Sequence, residues 1–148
     1  MELVDALRGK RICIDTAPFI YFIEKDPKYL NTVRPIFSEI DAGNIEALTS
    51  TITLLEVLVL PFRTKNESLA EKYRDILLHA EGLETYEIVH EVSELAAKLR
   101  VKYAIRTPDA IQIAVGIIYG ADVFLTNDSG MKKVNDIRVM ILEEFARK

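Results

Sequence analysis

RTPDAIQIAVGIIYGADVFLTNDSG, residues 106–130, carries the pattern that decides the fold. Thr107 and Pro108 open a helix as cap and first-turn proline, and Asp109 adds a first-turn acid that favours the positive end of the helix dipole. The helix runs to about Tyr119 and stops at Gly120. DVFLT (122–126) follows as a strand, and NDSG (127–130) as its turn. A buried strand fed by an apolar helix is half of a parallel crossover unit.

The same alternation extends outward in both directions. RICID (11–15) reads as a strand, followed by a helix over TAPFIYFIE with Thr16 as N-cap and Pro18 in its first turn. Residues 28–41 place Tyr29, Leu30, Val33, Ile36, Phe37 and Ile40 at helical spacing, closed by Gly43. IEALT (45–49) is a second strand, and TITLLEVLVL (51–60) a buried helix limited by Pro61. A polar-faced helix over 66–80 closes near Gly82, and TYEIV (85–89) is a third strand. Val92, Leu95, Ala96, Leu99 and Tyr103 mark an amphipathic helix. IRVMI (137–141) is a fifth strand, and EEFARK (143–148) a short closing helix or tail. Strands separated by helices predict an α/β fold, a mainly parallel central sheet with helices on both faces in three layers. The 148 residues fit one domain spanning 1–148, without internal repeat or linker.

Composition narrows the function. Half the residues are hydrophobic (49%), enough for a sizeable core, yet no stretch is long and uncharged enough to span a bilayer. MELVDALRGKR carries acids early and lacks a signal-type apolar region, so the expected location is the cytoplasm, with no membrane partner. The single cysteine, Cys13, sits in a predicted strand as a small core residue. A net charge of −4 argues against extensive phosphate clamping but leaves a metal-neutralised acid site open. Lys98, Arg100, Lys102 and Arg106 form one local basic cluster, read as a solvated face. The only two histidines, His79 and His90, are expected at the surface, and no GxxxxGK[ST] is present.

Four acids stand inside or at the mouth of apolar runs: Asp15, Glu56, Asp109 and Asp128. Each has a plain structural role to set against function. Asp15 can cap a helix, Asp109 can serve the helix dipole, and Asp128 can shape a turn. Glu56 is the only ionisable group in its ten-residue run, and if buried it needs a partner. Sites in parallel sheets form beyond the carboxyl ends of the strands, where Asp15 and Asp128 fall. All-oxygen donors with little His or Cys point to Mg²⁺ or Mn²⁺.

ICIDTAPFIYFIE, TSTITLLEVLVLP, RTPDAIQIAVGIIYGADVFLTNDSG and IRVMIL, in this order, resemble the PIN-domain family, most closely the toxin ribonucleases of VapBC toxin–antitoxin pairs. The resemblance covers essentially the whole chain. It implies a three-layer α/β/α sandwich and an acid cluster in which Asp15, Glu56, Asp109 and Asp128 are the first to fourth acids and hold Mg²⁺ or Mn²⁺. It gives Thr16, Thr126 and Asn127 supporting places. Many members carry phenylalanine three residues after the fourth acid, where this chain has Met131. The expected activity is hydrolysis of RNA by water attacking in line, leaving a 5′-phosphate and a 3′-hydroxyl, with one or two metals open. The expected partners are an RNA substrate, a cognate antitoxin and a second copy of the chain. Phe19, Tyr21 and Phe22, with the 51–60 helix, are candidates for the docking surface, with plain core as the other reading. A catalytically silent docking module, and a nuclease of RNA processing or DNA metabolism, are the alternatives.

Overall fold

A computed structural model describes residues 2–146. Arg147 and Lys148, the last two residues of the expected closing segment, lie outside it. The chain begins with a helix the sequence pattern did not suggest, α1 (Leu3–Leu7), which buries Leu3, Val4 and Leu7. Then follow β1 (Arg11–Ile14), α2 (Thr16–Ile23), α3 (Leu30–Asp41), β2 (Glu46–Ser50), α4 (Thr51–Arg63) and α5 (Glu67–His79). The second half comprises β3 (Leu83–Tyr86), α6 (His90–Tyr103), α7 (Thr107–Ile118), β4 (Val123–Thr126) and β5 (Arg138–Ile141), with short 3-10 turns at Ser129–Lys133 and Leu142–Glu144.

The five strands form one sheet in the order β3-β2-β1-β4-β5, every neighbouring pair parallel. Successive side chains point to opposite faces of a strand, and that alternation divides the core in two. Ile12 and Ile14 of β1, Ala47 of β2, and Val123 and Leu125 of β4 pack with α1, α2 and α3 and with Val57, Tyr73 and Leu77 from α4 and α5. Cys13, Leu48 and Phe124 point the other way, against Val92, Ala96 and Leu99 of α6 and Ile113 and Ala114 of α7. The result is the expected α/β/α sandwich. Gly116 lets α7 lie close to β1, because a Cβ there would stand 3.0 Å from the Cβ of Cys13. Cys13 is fully buried, which pushes its thiol pKa up and leaves it an inert core residue. Met131 is buried in the second core, filling the apolar place expected of it.

Local boundaries differ from the sequence pattern where tertiary contacts outweigh it. The third strand starts earlier than TYEIV, at Leu83, and ends at Tyr86. Its register pairs Tyr86 with Ser50, the last residue of β2, so beyond that point this edge strand has no partner. Pro61 does not end α4, which continues to Arg63 with Pro61 buried. A proline removes one N–H from the ladder, and here the ring packs in the core while the turn after it is closed by Thr64 N–H on the Leu60 carbonyl. In α2 and α7 the cap lies one residue earlier than expected, at Asp15 and Arg106.

Candidate active site

β1 stands at the centre of the sheet, with the chain running outward through β2 and β3 on one side and through β4 and β5 on the other. The crevice at such a switch point lies beyond the carboxyl ends of the strands. Three helices begin at this edge. α2 follows β1 directly, α4 follows β2 directly, and α7 starts here because it runs antiparallel to the strand it feeds. Their N-termini bring three sets of backbone N–H groups and positive dipole ends to one place, which favours carboxylates.

Asp15 caps α2. Its Oδ1 accepts from the Thr16 N–H at 2.8 Å, and its Oδ2 from Thr126 Oγ1 at 2.7 Å. Thr126 in turn accepts from the backbone N–H of Asp128 at 3.1 Å, so the ends of β1 and β4 are tied through the first and fourth acids. The pKa of Asp15 is raised, first by burial and further by the negative charges of Asp109 and Glu56; the two hydrogen bonds pull against this without cancelling it. Asp109 is 7% exposed, in the first turn of α7, and accepts from Arg106 Nε at 3.1 Å. The charges of Glu56 and Asp128 also act on Arg106. The four acids named from sequence therefore share one electrostatic neighbourhood at one edge of the sheet.

One of the four stands differently from expectation. Glu56 is exposed, not buried, because α4 is apolar all round only in composition: Leu55 is 60% exposed and Leu60 49%. Its partner is a hydroxyl, Thr16 Oγ1 donating to Oε1 at 2.6 Å. Asp128 is exposed, and its Oδ1 accepts from the Gly130 N–H at 2.8 Å, the turn role also open to it from sequence. Asn127 does not face the acids. Its amide donates to Tyr21 Oη at 3.0 Å, and its oxygen accepts from the Glu143 N–H at 2.9 Å, anchoring the loop after β4. Both histidines are exposed at helix ends.

Sequence reading missed a second layer of polar residues. Gln112, one turn beyond Asp109, is 1% exposed and bonds Ser50 and Thr53; Thr49 and Thr53 bond each other. A polar side chain amid the apolar run AIQIAV was the available signal. Arg106, taken as part of a solvated basic face, is the cation paired with Asp109.

The donor set is all oxygen, and burial beside like charges leaves Asp15 in want of a cation, so these residues fit a hard divalent ion. Among the described residues no three acids, histidines or cysteines already converge as a coordination cage.

The fold has known counterparts. The VapBC2 complex of Rickettsia felis, bound to a DNA fragment from its promoter, contains a chain matching with a TM-score of 0.71 at 18% identity, over 88% of this chain and 98% of that one. A toxin–antitoxin complex from Klebsiella pneumoniae matches at 0.67 and 20% identity, over 89% and 97%. VapC20 of Mycobacterium tuberculosis, a toxin that cleaves the sarcin–ricin loop, matches at 0.67 and 17% identity, over 86% and 98%. No curated protein sequence matches significantly. The profile of the PIN domain matches residues 12–137, from β1 to the edge of β5 and through every element that places the acids, and the chain belongs to the PIN-domain family.

Proposed function

We propose that this protein is a divalent-metal-dependent endoribonuclease, the toxin of a type II toxin–antitoxin pair, working in the cytoplasm as a single domain over residues 1–148. The observation that carries the reading is the buried Asp15 at the end of the central strand, on which the negative charges of Asp109 and Glu56 act, with Asp109, Glu56 and Asp128 all acting on Arg106. Membership in the PIN-domain family and the likeness to VapC toxin structures support it.

Asp15 and Asp109 would hold Mg²⁺ or Mn²⁺, with Asp128 and Glu56 completing the set. When bound, such an ion supplies Lewis acidity, making water more acidic and offsetting charge on the phosphate oxygens. Glu56, fixed through Thr16, orients the attacking water and takes its proton. Thr126 holds Asp15 by hydrogen bonding its second oxygen. Arg106, with its side chain 76% exposed at the rim, is placed to meet the substrate phosphate. Attack by water on phosphorus with breakage of the P–O3′ bond, the leaving oxygen taking up a proton, leaves a 5′-phosphate and a 3′-hydroxyl.

For partners, the neighbouring toxin–antitoxin complexes support a cognate antitoxin. Phe19 is buried and belongs to the interior, whereas Phe22 is half-buried, stacked on Phe37 at the edge of the first core. The exposed residues Leu55, Val59, Leu60 and Phe62 on α4 are the surface offered to an antitoxin or a second copy.

The test is cleavage of end-labelled single-stranded RNA with Mn²⁺, with Mg²⁺ and with excess chelator, beside the Asp15→Asn/Asp109→Asn double variant. Metal-dependent cutting that is lost in the variant is expected. A folded protein that cuts no RNA under any metal, and binds Mn²⁺ weakly, would instead be a docking module.

A further inference from the structure

Behind the acids lies a buried chain of hydroxyls and one amide whose hydrogen-bond directions can be worked out from its two ends. Thr49 Oγ1 donates to the carbonyl of Ile14, the last residue of β1, at 2.7 Å. A hydroxyl has one proton. The 2.7 Å contact between Thr49 and Thr53 must therefore use the proton of Thr53. Thr53 is then an acceptor toward Gln112, whose Nε2 lies 2.7 Å away. At the other end, Ser50 Oγ receives the Ile52 N–H at 3.1 Å and gives its own proton to Gln112 Oε1 at 2.6 Å.

These two ends fix the Gln112 amide. Turned over, its oxygen would draw the proton of Thr53, and Thr49 and Thr53 would face each other at 2.7 Å with no proton between them. In the fixed orientation the second Nε2 proton points to Thr16 Oγ1 at 3.4 Å. Thr16, receiving there, gives its proton to Glu56 Oε1 at 2.6 Å, the shorter of its two contacts. Among the described residues no buried side-chain polar atom lacks a partner, so a reversed member would break a complete set.

We propose that Gln112 is a positioning residue that holds the Glu56 carboxylate at the active site through Thr16. From Gln112 one branch donates inward through Thr53 and Thr49 to the Ile14 carbonyl, and the other donates outward through Thr16 to Glu56, so Glu56 is held as an acceptor in one orientation. It acts across four elements, because Gln112 lies on α7, Thr16 on α2, Thr53 and Glu56 on α4, and Ser50 ends β2. An apolar residue of similar length at 112 would keep the packing and free the exposed Glu56 carboxylate from its fixed orientation. The proposal rests on the nuclease reading of the site, and its test separates the two.

The experiment is a double-mutant cycle on RNA cleavage with Gln112→Met and Glu56→Gln. Gln112→Met should lower kcat by roughly 10- to 100-fold, the scale of a misplaced group, with KM within about twofold. In the Glu56→Gln background the same change should move kcat by less than about twofold. Equal losses in both backgrounds, or an unchanged kcat in the first, would overturn the proposal, since a merely structural glutamine would act independently of Glu56. Gln112→Glu, of the same shape but unable to make both donations, is the second variant should the first not fold, and the same outcomes apply. If the unmodified protein cuts no RNA, the nuclease reading fails. Crystal structures then still decide this inference: the Thr16–Glu56 bond should be present in the unmodified protein and broken in the variant, and its persistence in the variant would overturn it.

Discussion

Asp15 is the residue on which burial and charge repulsion both fall, and its raised pKa has a stability consequence. Between the usual carboxylate range and the raised value, the folded state binds more protons than the unfolded one, so stability falls as pH rises through that window. Asp15→Asn should therefore raise the melting temperature at neutral pH, with the gain shrinking as pH falls through that window and gone below the usual carboxylate range; equal melting curves at pH 7 would contradict it. Asp109→Asn should abolish cleavage with the fold intact, since it removes charge and keeps shape, and circular dichroism beside the RNA assay checks both. Arg106→Gln should tighten Mn²⁺ binding a few-fold, on the scale of an exposed ion pair, because the guanidinium competes for Asp109; calorimetry reads this directly. Glu56→Gln should lower activity and leave stability within about 0.5 kcal/mol, as expected for an exposed side chain. The sequence named all four acids because ionisable groups at the ends of apolar runs are conspicuous. It misjudged the burial of Glu56 because composition shows how apolar a helix is, and only packing shows which of its sides is covered.

At the scale of elements, what places the site is the direct succession of strand and helix: Asp15 separates β1 from α2, and β2 passes into α4 with no intervening residue. The strand-helix alternation and most element positions were legible, since β-branched apolar runs and helical spacing are local signals. The bounds of β3 were not, because an edge strand pairs only along the length its neighbour offers, here from Leu83 opposite Ala47 to Tyr86 opposite Ser50. Gly82 sets that start. Its φ is +81°, and a Cβ there would lie 2.7 Å from the Ile40 carbonyl oxygen. Gly82→Ala should cost on the order of 1–3 kcal/mol from backbone strain, measured by denaturant unfolding. A cost near zero would mean that the turn can shift freely and does not fix the register of β3.

For the whole molecule, the parallel sheet with two helical layers carries the candidate acids at one edge and an apolar surface on α4. If that surface binds a partner, Leu55→Glu should abolish self-association or antitoxin binding and leave the melting temperature within a few degrees. Light scattering and co-purification with the cognate antitoxin check this; unchanged association would move the interface elsewhere. The sequence by itself determined the fold class and singled out the four acids as candidates, because hydrophobic period and misplaced charge are properties of neighbouring residues. Only the tertiary structure decided that Arg106 pairs with Asp109, that Glu56 stands in solvent, and that Gln112 reaches it through Thr16. The exposure of Glu56 and its link to Gln112 depend on contacts between elements distant in the chain, and local pattern carries no information about the direction of a hydrogen bond between them; Arg106 and Asp109 are only three residues apart, and their pairing depends on how the two side chains turn at the start of α7.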